Sequence, residues 1–334
     1  MPTPARILFI CTGGTIAMVA GPDGFDTGGD VRAEVSAVLA LRGGPAEIDF
    51  IEFDLVDSSN ITPEHWQLMA DQLWAHHDRF DGFVVLHGTN TLAHSASAVS
   101  YALAGFGKPV VFTGSQIPFG IPGSDAPDNV QGAFEAASSG AAAGVTVYFD
   151  GDLMPGVRAT KISAIDMHGF VSPHADVVDW NGSLEGMTRS PAGEGWVNPR
   201  PYGRHDVAVI TAAPGMSAER FRAMTDPAPD AVIYRAYGAG EGPSDEAGLE
   251  EAINALTGNG IPVVVVSQCV IAHIDFAKYA AAGFLRRAGA LGAEDMTFEA
   301  AYSKLHFLLS QEIDRADLGK WFLTNIAGEL TPAA

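Results

Sequence analysis

The stretch Asp81-Gly-Phe-Val-Val-Leu-His-Gly-Thr-Asn-Thr-Leu-Ala-His-Ser95 narrows the choice of fold more than any other part of the chain. Phe83 to Leu86 is a short apolar run, β-branched in the middle and opened by Asp-Gly, which reads as a buried strand of a parallel sheet. The alanine-rich segment Leu92 to Leu103 reads as a helix. Between them, His87, Gly88, Thr89, Asn90 and Thr91 crowd a strand-to-helix turn with small and polar groups. At such a turn free backbone N–H groups and the positive helix end face whatever binds there. Open α/β sheets place their ligands in that crevice. An ordinary β–α turn with capping threonines has the same composition, so this turn alone is half a site.

A second turn of the same kind lies near the N-terminus. The apolar strand Ile7-Leu-Phe-Ile-Cys11 runs straight into Thr12-Gly13-Gly14-Thr15-Ile16-Ala17. Its glycines let the backbone come close to a ligand, and its threonines offer hydroxyl nucleophiles or donors. Neither G-x-G-x-x-G nor G-x-x-x-x-G-K-[ST] is present, which argues against a dinucleotide or phosphate loop.

Strands alternate with helices along the rest of the chain. Gly21 to Gly29 reads as a glycine-rich loop of the kind that forms lids. Val31–Leu41 reads as a helix, Ile48–Leu55 as a strand and 63–77 as a helix opened by Thr62-Pro63. Trp66, Met69, Leu73 and Trp74 recur on that helix at core spacing. Pro109–Phe112 and Val145–Phe149 are further strands, the helix 126–140 lies between them, and Gly151 to Lys161 carries a turn. Strands at 207–211, 231–234 and 261–266 repeat the alternation on a smaller scale, with three helices after them. The expected fold is α/β: a larger, doubly wound, mostly parallel N-terminal domain over 1–185, a linker over 186–205 rich in Gly, Pro and Asn, and a smaller α/β domain over 206–334. At 334 residues, 47% apolar and 18% charged, the chain has length enough for two cores. Its net charge of −21 argues against nucleic acid and anionic membranes as partners. No charged and apolar leader precedes the first strand, so a cytoplasmic location is expected. Cys11 and Cys269 each end an apolar run and read as small buried residues. The ten histidines show no zinc spacing, so no metal is expected.

TGGTIAM at 12–18 and HGTNT at 87–91 resemble the two signatures of the L-asparaginase family, as do DSSNITPEHW at 57–66, KPVVFTGSQIP at 108–118 and RATK at 158–161. The turn Tyr237-Gly-Ala-Gly240 and DMTFEAAYSKLHFLLSQE at 295–312 fit the same pattern. The resemblance covers nearly the whole chain and is closest to the bacterial cytoplasmic type I enzymes. It implies an amide hydrolase that needs no cofactor, acts on asparagine or a related ω-amide and releases ammonia. Hydrolysis in two steps needs a hydroxyl that forms an acyl-enzyme, a proton acceptor and N–H donors for the oxyanion. The resemblance assigns Thr15 as nucleophile and Thr89 with Lys161 as the proton relay. Asp57, Ser58, Ser59, Gly88 and Asn90 would line the substrate pocket, with the serines on a substrate carboxylate. It also implies a homo-oligomer, dimer or tetramer, whose sites form between one subunit's large domain and another's small one.

Four positions depart from the family pattern. Asn90 replaces an aspartate that holds the substrate's α-ammonium and pairs with the lysine. Without that carboxylate the protonated lysine is less favoured, so Lys161 becomes a neutral base more readily. Phe25 replaces the lid tyrosine, and Glu241 stands where an asparagine is usual. Glu241 could return the missing charge across a subunit boundary. Val270-Ile-Ala-His273 replaces a small-residue segment beside Arg235 and Cys269, where type I relatives hold a regulatory amide. The retained hydroxyls and amine point to an enzyme, whereas Asn90 and Phe25 point to a binding or sensor protein with weak turnover. A tRNA-dependent amidotransferase subunit would need an added domain or basic surface, for which the chain has no room.

Overall fold

The computed structural model describes residues 4–331 apart from 22–23, 43–45, 141–143, 176–177 and 180–192. The first half of the chain supplies β1 (Ala5–Gly13), β2 (Met18–Gly21), β3 (Gly24–Thr27), α1 (Val31–Arg42), β4 (Ala46–Val56), α2 (Pro63–His76) and β5 (Gly82–Leu86). It continues with α3 (Leu92–Ala102), β6 (Pro109–Thr113), α4 (Ala126–Ser138), β7 (Gly144–Phe149), β8 (Asp152–Pro155), β9 (Thr160–Lys161), β10 (Phe170–Val171) and β11 (Val178–Asp179). The second half supplies β12 (Val207–Thr211), α5 (Ala218–Met224), β13 (Ala231–Ala236), α6 (Leu249–Gly258) and β14 (Val263–Ser267). After it come α7 (Gly283–Arg287), β15 (Leu291–Gly292), α8 (Phe298–Ser310) and α9 (Leu318–Leu323).

The larger sheet has the order β11-β8-β7-β6-β5-β1-β4. Its five strands from β7 to β4 are parallel, and β8 and β11 close one edge antiparallel. Alternate residues of β1 enter two different cores. Leu8 and Ile10 join Phe83, Val85 and Phe112 under α2 and α3, while Ile7, Phe9 and Cys11 join Val84 and Leu86 under α1 and α4. Both faces are covered, which is why these strands read as unbroken apolar runs. Each fully buried Val, Leu or Phe contributes about 1.5–3 kcal/mol.

The smaller sheet, β12-β13-β14-β15, is parallel throughout. One face packs on α5 and α6 through Phe221 and Ile253. The other, through Ile233, Val264 and Val266, shares a core with Ala301 and Leu305 of α8 and with α3. Helix α8 is therefore the wedge between the two sheets.

Several expectations need correction. Part of the stretch 21–29, expected to be loop, is strand: β3 pairs antiparallel with β2. The side chain of Phe25 lies outside the described residues. Residues 152–155 form an antiparallel strand rather than part of a turn, and β15 is an additional strand. Trp74 is 44% exposed, lying edge-on to Phe106 at the helix margin, while Trp66, Met69 and Leu73 are buried. Cys11 is buried but Cys269 is exposed, because the chain leaves the sheet at Ser267 before reaching it. Among the described residues no helix is long and apolar enough to cross a membrane.

Candidate active site

The carboxyl ends of three adjacent strands, β5, β1 and β4, meet at one corner. Gly13 ends β1 and Gly14 follows it, with φ of 109° and 82°. Gly14 N–H donates to Val56 O at 3.1 Å, and the Thr12 hydroxyl donates to Leu86 O at 3.1 Å, so the first turn is tied to both neighbouring strand ends. A Cβ on Gly14 would lie 2.1 Å from the Cα of Gly88, and one on Gly88 would lie 2.5 Å from Ser58 Oγ. Only glycine permits that contact. Thr15 and Thr89 each follow one glycine of this pair, so the backbone brings both residues to the same corner.

The segment after β4 completes it. Asp57 caps the short 3-10 turn Ser58–Asn60, its Oδ1 accepting from Ser59 N–H at 2.7 Å. Ser58 is 3% exposed, and its carbonyl accepts from the Thr91 hydroxyl at 2.7 Å. The second turn is thereby sewn to the first helical turn of the next segment. Behind it, His87 is fully buried, with Nδ1 2.8 Å from Gly88 O. Burial pushes its pKa down to about 4, so the ring is neutral and serves to hold the Gly88 carbonyl.

The fourth contribution arrives on β9. Lys161 Nζ donates to Thr89 Oγ1 at 2.7 Å and to Asn90 Oδ1 at 3.2 Å. Asn90 Nδ2 donates to Ser59 Oγ at 3.1 Å. Both ends of the Asn90 amide are therefore engaged. Burial lowers the pKa of Lys161 below its ordinary value. The amine faces a hydroxyl and a neutral amide, neither of which restores the protonated form as a carboxylate would.

Thr15, Asp57, Ser58, Ser59, Gly88, Thr89, Asn90 and Lys161 thus come from four separate segments to one corner. Glu241 does not join them within the chain. Its Oε2 accepts from Ala239 N–H at 2.7 Å, and it lines a cavity of about 400 Å³ in the second sheet's half with Cys269, Ile271, His273, Asp275 and Lys278.

The model of the family described as "Asparaginase, N-terminal" matches residues 6–187, and "Glutaminase/Asparaginase C-terminal domain" matches residues 206–322. The chain belongs to the asparaginase family. It is 38% identical to L-asparaginase 1 of Escherichia coli (strain K12) over 96% of each chain. Among solved structures it resembles the thermostable L-asparaginase from Thermococcus kodakarensis, with a TM-score of 0.85 and 30% identity, over 98% of this chain and 100% of that one. L-asparaginase I from Vibrio cholerae gives a TM-score of 0.83 and 32% identity over the same shares. In this asparaginase-family chain, the sequence offered Thr12 as a hydroxyl nucleophile or donor and Thr91 as a capping threonine, and left His87 without a role. All three lie inside the quoted signatures, but their hydrogen bonds run to carbonyls, which a sequence pattern does not display.

Proposed function

We propose that this protein hydrolyses a primary ω-amide, L-asparagine first among them, to the acid and ammonia through a threonine acyl-enzyme. The observation that carries the reading is the 2.7 Å contact between Lys161 Nζ and Thr89 Oγ1. In this mechanism Thr15 Oγ attacks the amide carbon, and its proton passes through Thr89 to the neutral Lys161 amine. Backbone N–H groups of the glycine turns steady the oxyanion. The C–N bond then breaks, the proton returns to the leaving nitrogen, and ammonia departs. Water repeats the attack on the ester, releasing the acid and restoring the Thr15 hydroxyl. Asp57, Ser58, Ser59 and Asn90 hold the substrate, the two serines its carboxylate.

Asn90 favours a second reading, a paralogue that binds its ligand but turns asparagine over weakly or prefers another amide. With Nδ2 on Ser59 and Oδ1 on Lys161, it offers an α-ammonium no charge. The test is ammonia release from asparagine, glutamine and a small amide panel by the wild type, Asn90→Asp and Lys161→Met. Loss of at least about 100-fold in kcat in Lys161→Met supports the mechanism, and full activity there overturns it. A gain of about tenfold or more in kcat/KM for asparagine in Asn90→Asp marks a weakened asparaginase, since a charge-assisted hydrogen bond exceeds a neutral one by about 1.4 kcal/mol. No gain, with another amide turned over by the wild type, marks a changed specificity.

The same reading includes a cytoplasmic location, a homo-oligomeric assembly and the division into 1–185, 186–205 and 206–334. The family-model limits at 187 and 206 support that division.

A further inference from the structure

Behind the strand that carries Lys161 stands a carboxylate with half of its hydrogen-bonding capacity unused. Glu299, in the first turn of α8, is 9% exposed, and its Oε1 accepts from the Thr160 hydroxyl at 2.8 Å. Its Oε2 is buried and has no hydrogen-bond partner among the described residues. Burying a carboxylate against one neutral hydroxyl is unfavourable for stability. Its use has to be sought in what it holds.

What it holds is the residue before the candidate base. Strand β9 consists of Thr160 and Lys161, paired among the described residues with Val171 and Phe170 of β10. So short a ladder fixes a long side chain poorly. Successive side chains of a strand point to opposite faces, so the strand offers Thr160 to Glu299 on one side and Lys161 to Thr89 on the other. Helix α8 is itself bound to the helix that begins at the site turn: the Ser303 hydroxyl donates to His94 O at 2.9 Å, and the His94 ring lies 5.7 Å from those of Phe298 and Tyr302. A closed circuit results, from Thr89 along α3 to α8, through Glu299 and Thr160 to Lys161, and back to Thr89.

We propose that Glu299 is a positioning residue which, through Thr160, sets the reach of Lys161 to Thr89. The proposal rests on the reading of Lys161 and Thr89 as the proton-transfer pair. Glu299 acts by geometry, since burial and not a neighbouring charge governs the lysine's affinity for protons. A base displaced by about 1 Å costs up to about 100-fold in rate.

Glu299→Leu, Thr160→Val, the double variant, Glu299→Gln and Lys161→Met are compared for kcat and KM on the best amide of the panel. Glu299→Leu and Thr160→Val are expected to lower kcat by about 10- to 100-fold with KM within about twofold, and the double variant to be no worse than either single one. Glu299→Gln keeps an acceptor for Thr160 and is expected to retain at least about a third of kcat. Rates within twofold of wild type in both single variants, multiplying effects in the double one, or a rise in KM alone would overturn the proposal. If Lys161→Met is inactive while the Glu299 variants are normal, only this inference fails; if Lys161→Met is active, the reading of the site fails first. A measurement that needs no turnover runs beside it: the pH midpoint of Lys161 labelling by an amine reagent. It is expected to rise toward that of an exposed lysine in Glu299→Leu and to stay in Glu299→Gln, and an unchanged midpoint in both counts against the proposal. Glu299→Ala and Thr160→Ala remove the same contact and carry the comparison should Glu299→Leu or Thr160→Val fail to fold.

Discussion

At the scale of the residue, the proposed chemistry turns on the state of one proton. Lys161 is lowered from the usual 10.5 by burial. Between that lowered value and 10.5 the unfolded chain holds a proton that the folded one has lost, so stability rises with pH across this window and the burial cost is full below it. In the proposed mechanism catalysis runs the same way, because the fraction of neutral amine grows as pH rises through the lowered value. The pH profile of kcat/KM is expected to ascend to an alkaline plateau. In Asn90→Asp the new carboxylate favours the ammonium, so the ascending limb should move to higher pH. Identical limbs in the two proteins would remove Lys161 from the role of base. The residue types of this relay were legible in the sequence, yet the burial that lowers the lysine was not. Burial is supplied by whatever packs around β9, and the residues flanking Lys161 along the chain do not supply it.

At the scale of the element, two joints decide whether the corner exists. Gly14, with φ of 82° and ψ of −173°, occupies a region that is open in practice to glycine alone, and its Cα hydrogens meet Gly88. Gly14→Ala is expected to cost about 1–3 kcal/mol in stability from backbone strain. It should lower kcat/KM by about 100-fold or more, because the two turns move apart. Urea unfolding and steady-state kinetics on one preparation separate the two effects, and retained activity would show that the contact is not needed. The second joint is Arg158, 1% exposed, whose Nη1 lies 3.0 Å from Asp295 Oδ2 while Nε donates to Gly328 O at 2.7 Å. Burial alone would raise the Asp295 pKa, but the Thr331 hydroxyl and N–H and the Arg158 guanidinium bring it below its ordinary value of 3.8. Its contribution is therefore present above 3.8 and lost as pH falls through the lowered value. Arg158→Leu leaves that carboxylate buried without its counter-charge, and is expected to cost about 3–5 kcal/mol in urea unfolding at neutral pH. The glycines and Arg158 stood in motifs visible from the start. The partner 137 residues away was not visible, since ion pairing between distant segments leaves no periodicity.

At the scale of the whole molecule, the chain presents its chemistry in two places. The Thr89 hydroxyl and the Lys161 amine meet beside the carboxyl end of β5, and Glu241 faces a cavity in the smaller half. If subunits pair so that these places meet, two inactive proteins should rescue each other. Thr15→Ala and Glu241→Ala, each weak alone, are expected to regain ammonia release after unfolding and refolding together, whereas mixing without exchange should give none. Absence of rescue, with exchange verified by mass, would confine the site to a single chain.

The sequence by itself determined the long parallel strands, the helices, the two glycine-rich turns and the kinds of group those turns carry. Each of these depends on short-range pattern: apolar runs, capping residues, glycines where a side chain would collide. Tertiary structure alone decided that β5 and β4 flank β1, which brings Gly88 and Ser58 against Gly14. It also decided that a two-residue strand delivers Lys161 from 72 residues away to Thr89. Strand order and burial are set by how whole faces pack, and no local run of residues encodes them.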